Sequence, residues 1–332
     1  MAQYAAVLKR STELTIIAAC DTSPVARERA RSILGDIPVY DDAIEMMSSE
    51  PLELVVILTP PSTHEALVLK VLGHGLHVYC EKPLSTTLPN ATDLVALAGS
   101  LGLGIGWAPD TPFSEPMRTA RRLLEAGTIG QLAHLEVRCV NGGPELWHPS
   151  PAQFYSPDVG PLCDLGPYCF ALLSFFGGKP NRVTAFASTD APGRVRVNPH
   201  TESVIDVGCL THISGVVEFR SGVTGAFVCS FASPAVNRNE VVLYGSSGVL
   251  RLPAPTDHDG DILRWHDETN DWEILHRSMA SPASGRGLGV VDLCRRIDAS
   301  VSFPDWSITA LDLLAATEMS IQRGTVVKLV HR

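Results

Sequence analysis

The chain has 332 residues, 45% hydrophobic and 19% charged, enough apolar material for one large or two medium cores. Thirty-six acidic residues against 26 basic ones leave a formal charge of −10, which argues against a polyanionic partner such as nucleic acid. No apolar run approaches the ~20 residues of a membrane helix, and eight scattered cysteines with no CxxC pair read as buried free thiols. The start, MAQYAAVLKR, has no signal-peptide design, so a cytoplasmic protein is expected.

In chain order, Glu13 to Cys20 is a β-branched apolar run ending in Asp21, the pattern of a buried parallel strand. Ser23-Pro24 supplies an N-cap and an N1 proline for a helix reaching Leu34. IPVYDD is a short strand and AIEMMSS a short helix. Leu52 to Leu58 is the next strand, stopped by Thr59-Pro60-Pro61. Helical spacing runs from Ser62 to Leu72 and is closed by Gly73 and Gly75. HVYCEKP is a strand ended by Pro83, PNATDLVALAGSLG a helix and GIGWAP a further strand. This rhythm predicts an α/β, Rossmann-like doubly wound parallel sheet over residues 1–110. Ligands of such sheets sit at the carboxyl ends of the strands. Asp21, Thr59-Pro60-Pro61 and Glu81-Lys82-Pro83 fall at those ends.

The period changes near residue 110. After a helix from Glu115 to Ala126 come AHLEVRCVN, NRVTAFAST, ESVIDVGCLTHI, SGVVEFRSG, VTGAFVCSFA, NEVVLYGSSGVLRL and DILRWHD, separated by turn signals such as Ser221-Gly222. An open, mainly antiparallel sheet is predicted, with ALDLLAATEMSIQRG as a last helix. Residues 111–332 thus read as one α+β domain.

An acidic residue at the end of the second strand of a dinucleotide fold accepts hydrogen bonds from the adenosine ribose. Asp21 has that position, and its charge would repel a 2′-phosphate, favouring NAD over NADP. Its other reading is a cap on the helix opening at Pro24, and the residues alone leave both open. A βαβ unit also needs a first strand and a G-x-G-x-x-G turn before its helix. Residues 2 to 10 have the look of that helix, which sets Met1 and Ala2 at the last two positions of the fingerprint. The first strand and the glycine turn are therefore expected to be missing, through an internal methionine taken as start or a shorter gene. Weak or absent NAD(H) binding is expected in consequence.

Read as one unit, VILTPPSTHEALVLKVLGHGLHVYCEKPL resembles the glucose–fructose oxidoreductase, inositol dehydrogenase and rhizopine-catabolism (Gfo/Idh/MocA) family, and the resemblance extends over residues 2 to 330. It implies that Lys82 lies beside the nicotinamide and the reacting hydroxyl. Asp21, Thr59, Pro60, Pro61, His64 and Glu81 then form the rest of the cofactor side. The family's D-x-G-x-H motif corresponds to Asp164, Gly166 and Tyr168, with tyrosine where many members have histidine. A phenol can take and give a proton, and a nearby ammonium favours its phenolate. The resemblance thus implies Lys82 as polariser, Tyr168 as proton relay across an interdomain crevice, and Asp164 as the residue holding the array. Tyr168 is otherwise a packed helix residue and Asp164 a helix cap.

PELWHPSPAQFYSPD groups Trp147, His148, Phe154, Tyr155 and Asp158, suited to stacking on and hydrogen bonding a polyol or sugar. Trp147, His148 and Tyr155 are expected substrate contacts, although His148 also reads as a loop histidine. SPDVGP stands where many relatives carry a glycine-rich loop. Asp110 and Thr111, at a strand end, are further candidates for the pocket. No HExxH or clustered Cys/His spacing suggests a metal. The implied activity is hydride transfer between a nicotinamide and a sugar, cyclitol or similar small polyhydroxylated substrate. The alternatives are a cofactor-free relic acting as a binding or regulatory subunit, and a nicotinamide-using lyase or glycosidase. Family members pair through their open sheet, which implies a homodimer or homotetramer.

Overall fold

A computed structural model describes residues 1–85, 87–157, 159–190, 195–198, 203–233, 238–278 and 285–329. The chain divides into two compact units, Met1–Ser114 with Ala280–Pro304, and Glu115–Met279 with Asp305–Arg332. Among the described residues no helix is long and apolar enough to cross a membrane.

The first unit opens on helix α1 (Ala2–Leu8), which buries Tyr4, Val7 and Leu8. These share one face by their i, i+3, i+4 spacing and pack in a cluster with Tyr79, Val290 and Leu293. Strand β1 (Ala19–Cys20) is much shorter than the run from Glu13 suggested. Extended residues form a ladder only where a partner stands in register. Ala19 and Cys20 face Val39 and Tyr40 of β2 (Val39–Tyr40), reached through α2 (Pro24–Leu34). Ser23 caps α2 as expected, accepting from Ala26 N, with Pro24 in the first turn. Helix α3 (Ala43–Ser49) is capped by Asp42, whose carboxylate accepts from the backbone N–H groups of Ile44 and Glu45 and is thereby held below its usual range.

Strand β3 (Leu54–Ile57), helix α4 (His64–Gly73), strand β4 (His77–Cys80), helix α5 (Leu88–Ser100) and strand β5 (Ile105–Trp107) follow in the expected alternation. The three strands pair in parallel in the order β3-β4-β5. Val78, Tyr79 and Cys80 are fully buried, as a strand covered on both faces requires.

The second unit begins with α6 (Glu115–Glu125) and β6 (Leu132–Val140). Two further helices, α7 (Gly160–Asp164) and α8 (Gly166–Gly177), precede β7 (Pro180–Ser188). A two-stranded ribbon, β8 (Val195–Asn198) with β9 (Ser203–Asp206), leads to β10 (His212–Phe219) and β11 (Thr224–Ser230). Then come β12 (Glu240–Gly245), β13 (Gly248–Leu252), β14 (Ile262–His266) and β15 (Asp271–His276). ESVIDVGCLTHI is thus split: its first part joins the ribbon, and its last residues run on into SGVVEF as one strand. Gly215 permits that continuity, since a Cβ there would stand 2.5 Å from the Phe227 ring and 2.7 Å from Thr184 O.

Helix α9 (Leu288–Asp298) returns to the first unit, burying Val290, Val291 and Leu293, and was not singled out in the sequence. The chain closes in the second unit with α10 (Asp305–Arg323), five residues longer at its start than expected, and β16 (Val327–Lys328). The large sheet has nine strands in the order β15-β14-β13-β12-β6-β11-β10-β7-β16. Every neighbouring pair is antiparallel except β6 and β11, which run parallel from His134↔Thr224 to Val140↔Ser230. The sheet is therefore mixed. One face carries α8 and α10 over a core of Leu135, Val137, Phe170, Leu172, Phe227 and Leu313. Of the eight free cysteines, Cys80, Cys139, Cys169, Cys209 and Cys229 are buried.

Candidate functional site

In the first unit, the pairing of Ile57 with Cys80 sets the carboxyl ends of β3 and β4 side by side. The turns that follow them, Thr59–Pro61 and Glu81–Pro83, are therefore neighbours, and His64 joins them. Its ring is fully buried, with Nδ1 2.7 Å from Pro83 O and Nε2 2.8 Å from Thr59 O. Both nitrogens are committed to backbone, so His64 braces the turns, in place of the direct cofactor contact expected. The Thr63 hydroxyl closes the first turn, 2.7 Å from Thr59 Oγ1 and 2.9 Å from Pro60 O.

Glu81 is held as firmly. Its Oε2 accepts from the backbone N–H of Lys82 at 2.9 Å, while Oε1 accepts from Tyr4 Oη at 2.8 Å and lies 3.5 Å from Arg286 Nη1. Both oxygens thus serve the scaffold around Lys82, where a cofactor contact was expected. Burial, together with the Glu81 carboxylate, pushes the Tyr4 phenol well above its usual range, so Tyr4 stays a neutral donor. The Lys82 backbone is bracketed between the Glu81 carboxylate and His64, and its half-buried side chain leaves from that frame. Tyr4 and Arg286 are contributors that sequence reasoning missed, because no spacing rule links residues 4, 81 and 286.

Asp21 is exposed at the end of β1. Its Oδ1 accepts from Ser23 N at 2.9 Å, and Arg27 Nη1 donates to its backbone carbonyl at 2.9 Å. The N-cap of α2 is Ser23, so Asp21 shapes the turn without capping the helix. Asp110 has a different place from the one expected. It is 3% exposed, and its Oδ2 accepts from Gly287 N at 2.6 Å, with Gly289 N at 3.5 Å. These are N–H groups that α9 cannot satisfy internally, so Asp110 caps a helix and is no open substrate contact. Thr111 is buried beside it in the chain, 1% exposed.

In the second unit, Asp164 ends α7 and Tyr168 stands in the first turn of α8. Asp164 is half-buried; Tyr168 is 8% exposed and belongs to the core. The segment before them forms an aromatic cluster. Trp147 is 57% exposed, with ring centroids 5.4 Å from His148 and 5.9 Å from Phe154, and His148 and Phe154 stand 5.0 Å apart. His148 Nδ1 accepts from Ser150 N at 3.0 Å, so a neutral ring carries its proton on Nε2. Tyr155, expected among the substrate contacts, is instead 1% exposed and donates to the buried Glu145 carboxylate. A hydroxyl closed in the core and spent on Glu145 anchors the loop; Trp147 and His148 are the members left open. Asp158 lies outside the described residues.

Residues 1–106 match the family model for the oxidoreductase family with an NAD-binding Rossmann fold, and residues 117–251 match the Gfo/Idh/MocA C-terminal domain. A bovine trans-1,2-dihydrobenzene-1,2-diol dehydrogenase is 29% identical over 252 residues, 75% of this chain and 69% of that protein. Among solved structures, a levoglucosan dehydrogenase in complex with NADH is similar with a TM-score of 0.80 at 15% identity, over 100% of this chain and 96% of the other. The myo-inositol 2-dehydrogenase of Lactobacillus plantarum gives a TM-score of 0.76 at 18% identity, over 99% and 96%. The two structural likenesses carry the fold, and the two family matches, one in each half, carry the assignment: the chain belongs to the Gfo/Idh/MocA family of oxidoreductases.

Proposed function

We propose that this chain oxidises a hydroxyl-bearing carbon of a small polyhydroxylated molecule, a diol, sugar or cyclitol, with NAD as hydride acceptor. The observation that carries this reading is the bracketed Lys82 at the end of β4, on a strand of a domain that matches the NAD-binding family. The relatives named for dihydrodiol, levoglucosan and inositol oxidation support the substrate class.

The residues fit a nicotinamide dinucleotide at two of its three parts. Asp21 offers an exposed carboxylate to a ribose, and the Thr59 and Lys82 turns offer a rigid wall to the nicotinamide end. For the pyrophosphate, the 332 residues contain no G-x-G-x-x-G. Bound there, the cofactor supplies a hydride acceptor. The protein's own part is to handle the substrate oxygen: the Lys82 ammonium polarises it and favours Tyr168 as the phenolate, whose Oη takes the substrate's proton, and Asp164 orients the array. The exposed indole of Trp147 stacks on the substrate's apolar face and His148 Nε2 donates to a hydroxyl.

Activity is measured by reduction of NAD and NADP at millimolar concentrations with a panel of cyclic diols, sugars and inositols. NAD is expected to be the better substrate. Asp21→Ala is expected to weaken NAD binding about tenfold, the cost of one hydrogen bond to a charged group, and to narrow the gap to NADP. Hydride transfer to neither nucleotide from any of these substrates would refute the function. Unchanged NAD/NADP discrimination in the variant would remove Asp21 from the cofactor site.

The protein is further proposed to be cytoplasmic and to work as a homodimer or homotetramer paired through the open face of the nine-stranded sheet. That face carries Phe186, 74% exposed, and Val216, 50% exposed, which neighbouring strands place on one side. Sedimentation of the wild-type chain is expected to show a dimer or tetramer, and Phe186→Asp to shift it towards monomer. A monomeric wild type would refute the pairing.

A further inference from the structure

We propose that the second unit binds a free α-amino acid with an apolar side chain, in a cavity at the end of α8 remote from Tyr168. The cavity has a volume of about 500 Å³, and its lining includes Arg121, Ser174, Phe175, Lys179, Asp305 and Trp306. That volume falls within the range of small-molecule sites. Tyr168 stands in the first turn of α8 and Ser174 in its last, with about 9 Å of helical rise between them. Arg121 is held in place from two sides. Its Nε donates to Glu125 Oε1 at 2.8 Å and its Nη1 to Phe175 O at 2.5 Å, with the guanidinium carbon 5.8 Å from the Phe175 ring centroid. Among the described residues its Nη2 has no partner, so the fork is ordered with two N–H groups still to place.

Three more polar groups border the same space. Ser174 is 2% exposed, and its hydroxyl has no hydrogen-bond partner among the described residues. Lys179 and Asp305 are exposed, and neither side chain makes an ion pair or hydrogen bond there. Cations and a carboxylate that line one cavity without pairing leave between them the place that a zwitterion fills. The ligand carboxylate accepts from Arg121 Nη2, Lys179 Nζ and the Ser174 hydroxyl, and its ammonium donates to Asp305. Phe175 and Trp306 meet edge to face, with centroids 6.1 Å apart and planes at 86°, and give the ligand side chain an apolar wall. A buried hydroxyl without a partner is unfavourable, and the ligand supplies its acceptor. Because Arg121 is already ordered, binding loses little of its side-chain freedom. Asp305 answers the positive start of α10 and Lys179 the negative end of α8, so the ligand meets whole side-chain charges.

The binding is independent of the dehydrogenase reading and is measured without turnover. Titration calorimetry of the wild-type chain with L-phenylalanine is expected to give a Kd of about 1 mM or tighter. Hydrocinnamate, which lacks the ammonium, and phenethylamine, which lacks the carboxylate, are each expected to bind at least about tenfold more weakly, since each loses hydrogen bonds to charged groups. Arg121→Gln and Asp305→Asn are expected to weaken L-phenylalanine by about tenfold or more on the same grounds. Should Arg121→Gln fail to fold, the exposed Lys179→Gln tests the same carboxylate contact. Ser174→Ala is expected to lower affinity severalfold with no loss of thermal stability, because the hydroxyl it removes has no partner in the protein. No detectable binding of L-phenylalanine would overturn the proposal. So would equal affinity for either truncated analogue, or affinity unchanged in both charge variants.

Discussion

Lys82→Ala is expected to lower kcat by about 10²–10⁴-fold, the range typical of a group that assists proton transfer. The frame that holds Lys82 belongs to its backbone: Glu81 accepts from its N–H, and His64 reaches the carbonyl of the next residue. Truncating the side chain leaves these bonds intact, so the loss measures the ammonium and not the turn. Tyr168→Phe is expected to have a comparable effect on kcat while leaving the NAD dissociation constant within about twofold, since it removes the proton relay and keeps the ring. Tyr168 packs in the core of its own unit, and phenylalanine preserves that packing. If both residues serve the same step, the double variant should be little worse than either single one, because groups acting as a unit are not additive. Steady-state kinetics of the three variants checks this. Full activity in Tyr168→Phe would move the proton relay elsewhere, with His148 the next candidate.

Asp110→Ala is expected to destabilise the first unit by about 2–4 kcal/mol. The carboxylate is buried and accepts from the first N–H groups of α9. Its removal takes the acceptor from those donors, at a cost of about 1–3 kcal/mol for the one bonded at 2.6 Å and less for the one at 3.5 Å. Together these reach or exceed the ~2 kcal/mol upper range for loss of a helix cap. Asp110→Asn keeps an acceptor oxygen and should lose clearly less. Urea or thermal unfolding followed by circular dichroism distinguishes this from a substrate-binding role. A raised KM with undiminished stability would return Asp110 to the pocket. Because the chain has two compact units, the lesion should move one transition more than the other, and a single fitted free energy would understate it.

Much of the first unit was legible because parallel strands buried on both faces are continuous apolar runs with sharp stops. Leu54–Ile57 and His77–Cys80 end at prolines, and α2 starts on a serine cap and a proline, all local signals. The extent of β1 was not legible, since hydrogen bonding with β2 sets it, and that partner is in register for two residues only. Helix α9 escaped notice for a similar reason. Its apolar face is short, and its start depends on Asp110, 177 residues earlier in the chain.

The same division runs through the site. The sequence by itself determined the family, through the TPP and EKP turns and the Asp164–Tyr168 spacing, because those motifs lie on contiguous stretches whose backbone is set by proline, glycine and helix starts. It also named the side chains proposed to carry chemistry. What each one does with its polar atoms was decided by tertiary structure. Asp110, Tyr155, Glu81 and His64 have the chemistry of ligand contacts, yet the fold spends them on Gly287, Glu145, Tyr4 and two carbonyls. A buried polar group must find a partner wherever the chain brings one, and the partner's distance along the sequence leaves no local trace. Trp147 differs in staying 57% exposed, which is equally a property of the folded loop.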